Sequence, residues 1–499
     1  MMERKRKGSG IHLLRGAAIL LALLLLPLIP AGSFGREGSA AGERPSEVRP
    51  EKLSLTLEQS IRIALEKNLQ IRIAQLSRDA LEPEVLRAKA IFHPTAGLSY
   101  TATAENPVND LSAVPRAETG TTTGFINQLL PTGGLVSLST NIAQEKTENQ
   151  PSQVTPDLTL SIVQPLLRNG RDYVTTRPIR DAEYDVRIEE ARLKAAVLKV
   201  MADTKRAYYR WNLAENTIAV IAAAIKRDEL LVESSEALLE AGIVTIRDVV
   251  SARISLTKDS ERMVSARADA ETARNTLLDI LGLPFEADVE LRDREIGFAP
   301  IPLEPAKWIA AAVKNRPEVM EIEEQLSKSA LNVRIAGNTL LPQVDFVGSY
   351  SRFQTGSTVG KALALRGDAW SAGLVFSVPI GNVAARASLS RAEIEHKRLQ
   401  EQLVQQKRVV ESEVRAAEIK LRNSQNRLDA LAKILGHAKK LEEVAKERFA
   451  RGFDTNLDIT SAQEDILNAE TDLLSVMVDY NTGVAELEAA LARPLASME

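Results

Sequence analysis

The chain has 499 residues, of which 26% are charged and only 4% are aromatic. This composition, rich in alanine, leucine, glutamate, arginine and lysine, is typical of long helices rather than of several compact domains. The formal net charge is −4 with both signs interspersed, so the sequence offers no basic stripe for nucleic-acid phosphates, and nucleic acid is excluded as a partner.

The first residues predict export from the cytoplasm. An apolar run, Gly16–Ile29, follows several basic residues, and small residues continue as far as Gly35. This order is typical of a signal peptide, which we place at 1–35, with cleavage between 32 and 42 and a flexible linker over 36–52. An uncleaved anchor is the alternative, but the run is shorter than the roughly 20 apolar residues of a spanning helix. The sequence has no cysteine, so neither disulfides nor a cysteine-linked lipid are expected.

The rest of the chain contains two similar halves. The segment "LTLEQSIRIALEKNLQI" begins at Leu55 and "IPLEPAKWIAAAVKNRPEV" begins at Ile301, and both carry an alanine-rich face that reaches an asparagine. Each is followed by extended segments and then by a long helical hairpin, which indicates an internal repeat. The predicted segments are repeat 1 (53–284: helix 53–92, strands 95–166, hairpin 172–284), a linker (285–302), repeat 2 (303–494: helix 303–340, strands 342–379, hairpin 383–493) and a tail (495–499).

The extended segments predict membrane strands. In the second repeat, Pro342–Phe353 and Trp370–Pro379 alternate small or polar residues with apolar ones over about ten residues, the length that a tilted strand needs to cross a bilayer. A half-buried sheet of a soluble protein has the same pattern and is the alternative. The aromatic residues expected in a barrel wall are Tyr100, Phe346, Tyr350, Phe353, Trp370 and Phe376.

The first repeat carries an additional predicted hairpin. Its strands lie within Thr121–Asn141 and its turn at Pro131–Gly134, between strands expected at Ala96–Ala104 and Asp157–Leu166. The second repeat has no counterpart. The sequence leaves open whether this hairpin joins a barrel, caps it or folds below it.

A long helical hairpin ends each repeat. Apolar residues of each recur every seven residues in two interleaved series, which predicts a coiled-coil seam. In the hairpin of repeat 1, the first helix runs from about Asp172 to Ala241, just before Gly242, and would span roughly 105 Å at about 1.5 Å per residue. The second hairpin breaks at Gly452, 210 positions later (452 − 242), and each returning helix stops before a proline, Pro284 or Pro494. The two glycines therefore mark tips where a long helix turns back on itself.

The tips carry the most specific resemblance. An exported chain with two such repeats, with "AGIVTIRDVVSAR" at one tip and "RGFDTNLDITSA" at the other, resembles the TolC family of outer-membrane efflux proteins. The resemblance implies a mainly α chain with membrane β: a trimeric α-helical coiled-coil barrel continued by one shared transmembrane β-barrel, with about four strands from each chain. Short β segments need such partners, because unpaired strand edges do not survive in lipid.

The resemblance also implies a function. The protein would be the exit duct of a tripartite efflux pump or a type I secretion system, in the outer membrane of a Gram-negative bacterium and extending into the periplasm. Its partners would be two further copies, outer-membrane lipid, and a periplasmic adaptor that links it to an inner-membrane pump. Ducts of this family carry drugs, polypeptides and metal ions, so no particular substrate is implied.

Two other classes of protein fit less well. An enzyme is not indicated, because the four histidines are scattered without ligand spacing and no nucleotide loop or catalytic motif appears; we expect no catalytic residue, metal or cofactor. A periplasmic adaptor is also exported and also carries a coiled-coil hairpin. It would carry one hairpin inserted into small β domains, whereas this chain has two hairpins and no β-rich stretch after residue 380.

The resemblance further implies a gate at the tips, where polar contacts tether the coils and acidic residues line an aperture. Asp248 matches the tip aspartate of the first repeat and Asp458 the first aperture aspartate of the second, whereas Ser461 replaces the second aperture aspartate. The arginine and tyrosine tether positions hold Asp454 and Phe449, so that tether cannot form as such. The cations that remain to close the aperture are Arg247, Arg448 and Arg451.

Small and apolar residues at the tips predict a docking surface for the adaptor, since a solvated helix turn would ordinarily be polar. These residues are Gly242, Ile243, Val244, Gly452 and Phe453. The alternative is a glycine helix stop with its accompanying hydrophobic contact. The charged tip residues have a similar alternative as ordinary solvated helix ends.

Overall fold

The structure is a computed structural model that describes residues 53–105, 117–147, 151–293, 295–451, 453 and 455–494. The predicted signal peptide (1–35), linker (36–52) and tail (495–499), together with Gly452 and Asp454, lie outside the described residues. Within the described ranges, no helix is both long and apolar enough to cross a membrane. In chain order the elements are β1 (Leu53–Leu55), α1 (Leu57–Lys67), α2 (Leu69–Asp79), α3 (Leu81–Lys89), β2 (Thr95–Glu105), β3 (Ala117–Leu129), β4 (Leu135–Thr147), β5 (Gln153–Pro165), α4 (Asp172–Thr175), α5 (Arg177–Glu240), α6 (Ile246–Leu281), β6 (Val289–Leu291), α7 (Pro305–Asn315), α8 (Pro317–Asn338), β7 (Gln343–Phe353), α9 (Val359–Ala362), β8 (Gly367–Ser377), α10 (Val383–Ala450) and α11 (Asn456–Leu491).

The segments predicted as single helices, 53–92 and 303–340, are interrupted. In the first, Asn68 Oδ1 accepts hydrogen bonds from two following amides at 2.8 and 3.2 Å, which ends α1 and caps α2. In the second, Arg316 is extended, because Pro317 disfavours a helical conformation in the residue before it. The prediction of one continuous helix was therefore wrong at both places, for reasons that are local to one residue.

Two helical hairpins contain most of the described residues. Helices α5 and α10 have 64 and 68 residues, or roughly 95–100 Å at about 1.5 Å per residue, and α6 and α11, of 36 residues each, run back along them. Core positions recur at the repeat distance: Val200 corresponds to Val410 and Leu281 to Leu491, and all four are buried. Helix α11 also packs against α5, so the two hairpins lie side by side.

The returning helices end in the same left-handed cap. Gly282 has φ 65 and its counterpart Ala492 has φ 54, and the following amide donates back to the helix at 3.0 and 3.2 Å. This pattern satisfies the last carbonyl groups of a helix. Gly282 has a second reason to lack a side chain, because a Cβ there would lie 2.7 Å from the carbonyl oxygen of Lys67.

Six strands form one antiparallel sheet in the order β2-β3-β4-β5-β7-β8. The resemblance implied about four strands from each chain, and the additional two come from the hairpin predicted over 121–141. Its strands, β3 and β4, pair with β2 on one side and with β5 on the other. The hairpin is thus part of the sheet, and within the described residues it neither caps the sheet nor folds below it.

The register gives this sheet an apolar face and a polar face. The apolar face carries Leu98, Tyr100, Ile126, Leu138, Ile142, Leu158, Leu160, Phe346, Tyr350, Trp370, Leu374 and Phe376. The polar face carries Ser99, Thr101, Thr121, Thr123, Ser137, Ser139, Asn141, Asp157, Thr159, Ser161, Ser349 and Ser371. Of the aromatic residues predicted for a barrel wall, Phe353 alone lies on the polar face. Such alternation over six strands is typical of a membrane barrel with a wet interior.

Candidate functional site

The similar tip sequences encode the same helix start. Thr245 precedes α6 and Thr455 precedes α11, and each is followed three residues later by an aspartate, Asp248 or Asp458. The aspartate Oδ2 accepts from the threonine amide at 3.0 Å in both tips, and from the threonine hydroxyl at 2.7 Å in the first and 2.9 Å in the second. These capping boxes satisfy amides that the helix leaves unpaired. Both predicted gate aspartates therefore have a structural role.

The same contacts keep both carboxyl groups ionised. The hydroxyl of Thr245 donates to Asp248 and holds the pKa of that carboxyl below its ordinary value. Thr455 lowers the pKa of Asp458 in the same way, first through its hydroxyl and then through its amide. Asp458 is exposed whereas Asp248 is half-buried. Asp458 thus presents a negative charge to solvent at neutral pH.

Asn456, which the sequence prediction missed, joins the two hairpins. It is 0% exposed, and its Nδ2 donates to Ser235 Oγ at 2.6 Å and to the carbonyl oxygen of Asp248 at 2.9 Å. Its backbone amide also approaches Asp248 Oδ1 at 3.5 Å. The first residue of α11 is therefore bonded to both α5 and α6. At the equivalent position of the first repeat stands Ile246, which is 65% exposed.

The other predicted gate residues lie around this contact without forming it. Arg247, Arg448 and Arg451 are exposed, and within one chain the cross-hairpin contact of Asp248 is with Asn456 instead. Phe449 is buried in a small core with Leu231, Ala252 and Ile459. Ser461 is exposed on α11 and lines a cavity between the hairpins.

The first tip ends as a glycine helix stop with apolar residues outside it. Gly242 has φ 75, its amide donates to the carbonyl of Leu239 at 3.0 Å, and the amide of Ile243 donates to Leu238 at 2.9 Å. These two bonds define the glycine cap named above as the alternative. Val244 packs on the tip core, whereas Ile243 is 53% exposed and Phe453 of the other tip is 74% exposed. An apolar surface therefore remains available at both tips.

A buried acidic pair lies further along the hairpins. Asp228 of α5 and Asp259 of α6 are 2% and 6% exposed, beside a cavity that α11 also lines. Arg262 donates to Asp259 at 3.0 Å and to Glu464 of α11 at 3.0 Å, whereas Asp228 Oδ2 has no hydrogen-bond partner among the described residues. Burial raises the pKa of Asp228 to about 6, and the charge of Asp259 adds to the increase. The sequence prediction did not identify this pair.

A family model described as outer membrane efflux protein matches residues 60–283 and 308–493, which includes both repeats and both tips. The chain belongs to the outer membrane efflux protein family. Family membership confirms the resemblance drawn from the tip motifs, and it places the protein in the outer membrane of a Gram-negative bacterium, with an extension into the periplasm.

Relatives in this family are distant in sequence. Outer membrane efflux protein BepC of Brucella suis biovar 1 is 26% identical over 255 residues, which cover 50% of this chain and 53% of BepC. Alkaline protease secretion protein AprF of Pseudomonas aeruginosa is 22% identical over 337 residues, which cover 66% of this chain and 68% of AprF. The match thus spans about half the length of the first relative and about two thirds of the second.

The fold of this family member is similar to that of a solved outer-membrane channel. OprN superposes with a TM-score of 0.67 at 18% sequence identity, covering 87% of this chain and 89% of OprN. The likeness confirms the predicted fold class, with six strands in place of about four. Proteins of the outer membrane efflux family are channels rather than enzymes, and the relatives described above are not adaptors, which decides against the periplasmic adaptor.

The raised pKa of Asp228 predicts a pH-dependent stability at the hairpin contact. Because the folded pKa lies above the ordinary 3.8, this carboxyl stabilises the fold at low pH, and the contribution is lost as pH rises through about 6. Asp228→Asn cannot ionise, so at pH about 7.5 the variant should gain about 1–3 kcal/mol of local stability. Amide hydrogen exchange in α5 and α6, compared between variant and wild type at each pH, measures the difference.

The expected gain shrinks as pH falls through about 6 and disappears only at pH about 3, where the carboxyl is protonated in the unfolded state as well as in the folded state. The matched control is Glu229→Gln, since Glu229 is the next residue and is exposed. A variant that exchanges at the wild-type rate at both pH values would contradict the prediction.

Proposed function

We propose that three copies of this chain form the exit duct of a tripartite efflux pump or a type I secretion system, gated at its hairpin tips. The observation that supports this most is the combination, in one chain, of a six-stranded sheet with opposite polarities on its faces and two helices of roughly 95–100 Å. The sheet suits a wall between lipid and water, and the helices suit a tunnel that continues from it.

A duct of this kind has no energy source of its own. The gate residues found at the tips form caps and a helix contact, and we infer that none of them is catalytic. Transport therefore depends on an inner-membrane pump, which a periplasmic adaptor would connect to the tips. AprF is named for protein secretion and other relatives are named for solvent efflux, so the duct is the shared element and the pump would select the substrate.

The contact of Asn456 is the element that would hold the tips closed. Opening an aperture requires that the α10–α11 hairpin move away from α5 and α6, and the two hydrogen bonds of the Asn456 side chain oppose that motion. Breaking a buried hydrogen bond costs about 1–3 kcal/mol when a group is left unpaired. A contact of that strength keeps the closed state dominant and can still be overcome by a docked partner.

Asn456→Ala should open the gate. The substitution removes both side-chain hydrogen bonds but leaves both capping boxes intact, so the closed state loses about 1–3 kcal/mol and the mean conductance of trimers in planar bilayers should rise severalfold. Ile246→Ala is the control, because Ile246 holds the equivalent position in the other repeat and is exposed. Wild-type conductance in the asparagine variant would contradict the role given to this contact.

Charges placed on the exposed tip residues should abolish transport. Gly242 is a poor position to alter, because its φ of 75 favours glycine, so we use Ile243→Glu and Phe453→Glu. Both should lose efflux or secretion in cells, while trimer yield and bilayer conductance remain at the wild-type level. Leu230→Glu, at an exposed position on α5, should transport normally. If both tip variants transport like wild type, the tips are not the docking surface.

Asp458 is proposed to form a threefold ring of carboxylates at the narrow end. Three like charges in a confined mouth repel one another and attract cations, so the ring should favour cations and bind multivalent ones. Asp458→Asn keeps the side-chain shape and should weaken both cation selectivity and block by multivalent cations in planar bilayers. Asp248→Asn should leave selectivity unchanged, because Asp248 faces Asn456. Unaltered cation selectivity in the Asp458 variant would contradict the carboxylate ring and leave helix capping as the role of Asp458.

A further inference from the structure

The six-stranded sheet has a consequence for the assembled protein. We propose that three copies close a barrel of eighteen strands, in which β8 of one copy pairs with β2 of the next and the β3–β4 hairpin is part of the wall. The inference rests on the proposed trimeric duct and adds to it the size of the membrane barrel and the surface through which the copies join.

The hairpin cannot be separated from the wall. Residues Thr95–Glu105 of β2 pair only with β3, and Leu135–Glu145 of β4 pair with Gln153–Val163 of β5. If the hairpin lay in the lumen or beyond the membrane, β2 would have no neighbour within its own chain. The hairpin is therefore the only connection between β2 and the rest of the described sheet.

The two faces of the sheet continue through the hairpin. Ile126 and Leu138 pair across β3 and β4 on the apolar face, and Thr123 and Asn141 pair on the polar face. These rows continue those of β2, β5 and β7 without a change of side.

Most of the apolar face is not covered by its own chain, since Leu160 is 49% exposed and Trp370 of β8 is 76% exposed, whereas Ile142 near one end of the sheet is buried. Lipid fits this face on β2, β4, β5, β7 and β8, whereas on β3 Ile126 is its one large apolar residue and Phe125 lies on the polar face. A plug in water would be polar on both faces.

Among the described residues, the sheet has an open edge on each side. Strands β2 and β8 have 11 residues each and each is paired on one side only. Neighbouring strands in the sheet run in opposite directions throughout, so β2 and β8 also run in opposite directions, and β8 of one copy can pair with β2 of the next in the same antiparallel way. Six strands are too few to close alone, because the smallest membrane barrels have about eight.

The stagger of the strands agrees with closure. Across the sheet, Thr95 of β2 aligns in turn with Asn127, Ser137, Ser161, Ser349 and Ser371. Strand β8 continues for six positions beyond that point, to Ser377. Six residues correspond to about 20 Å along a strand, over a sheet about 24 Å wide between its edge strands. The resulting tilt of about 40° lies within the range of closed barrels.

A wider barrel follows from this strand number. The diameter of a barrel grows roughly in proportion to its strands, so eighteen strands give a wall about 1.5 times as wide as twelve. Barrels of about 16–18 strands leave an aqueous channel. The polar face would line that channel with hydroxyl groups, and large hydrated solutes, including unfolded polypeptide segments, would pass the membrane without a constriction there.

Thiol labelling tests whether the hairpin is in the wall. Because the chain has no cysteine, single cysteines can be placed at Thr123 and Ser139 on the polar face and at Ile126 and Leu138 on the apolar face. A charged maleimide applied to intact outer-membrane fractions should label the first two at least tenfold faster than the second two. Labelling of all four at similar rates would put the hairpin outside the wall and overturn the proposal.

The matched control is the same comparison on β7, with Ser349→Cys and Tyr350→Cys. These residues lie on opposite faces of a strand that belongs to the wall with or without the hairpin, so they calibrate the difference expected between water and lipid. If labelling rates differ between the two β7 positions but not between the two faces of the hairpin, the barrel has fewer than eighteen strands, and the proposed duct is not contradicted.

Disulfide formation tests the junction between copies. Alignment of the two edge strands over their full length places Thr101 of one copy beside Ser371 of the next. Within one chain these positions are about 31 Å apart, because they are separated by five strand spacings across the sheet and by six residues along the strands, far beyond disulfide reach. Thr101→Cys combined with Ser371→Cys should therefore give covalent trimers on oxidation, whereas Thr101→Cys with Ser349→Cys should not. Absence of trimers in native mass measurements would instead contradict the proposed duct itself.

Discussion

Every backbone amide that enters lipid must find its hydrogen-bond partner in protein, and the sheet of this protein meets that requirement only in part. Four of its six strands are paired on both sides, and two are left with an open edge. The described sheet is therefore incomplete as a membrane wall, and in the proposed trimer neighbouring copies supply the missing partners. In the proposed trimer the helical hairpins continue from a wall that only the assembly completes, so the proposed tunnel and gate both depend on those edge hydrogen bonds.

The two repeats share the same local structure at the ends of their returning helices and differ at a few positions. Both tips begin their returning helix with a capping box, and both returning helices end in a left-handed residue. Two hairpins with identical tips would lack a specific polar contact that fixes one against the other. The second repeat has Asn456 where the first has Ile246. The Asn456 side chain is a buried donor, and the other hairpin provides its two acceptors. The second repeat also lacks the additional β-hairpin, so the first contributes two thirds of the sheet.

Much of this architecture could be predicted from the sequence because its signals are local. Glycines at the tips, prolines after the returning helices and alternation in the strands each depend on a few neighbouring residues. Helix breaks at Asn68 and Arg316 were missed, because a single side-chain cap or a following proline overrides a good helical pattern. The place of the β3–β4 hairpin was left open for another reason: alternation assigns the face of each residue but not the neighbour of each strand. The sequence did not reveal the roles of Asp228, Asp259 and Asn456, because their surroundings depend on how three helices pack together.

The pairing of β5 with β7 also determines when the sheet can exist. All the other strand pairs of the sheet join neighbours in sequence, but Asp157 meets Phe353 across about 200 residues that include the whole first hairpin. Contacts between distant residues form slowly, because the intervening chain must first be ordered. During synthesis and export, strands β2–β5 are complete long before β7 is made, and until then their apolar face and two open edges remain exposed. Such a species is prone to aggregate, so the long separation between β5 and β7 makes the interval before the second repeat emerges the vulnerable stage in the folding of this sheet.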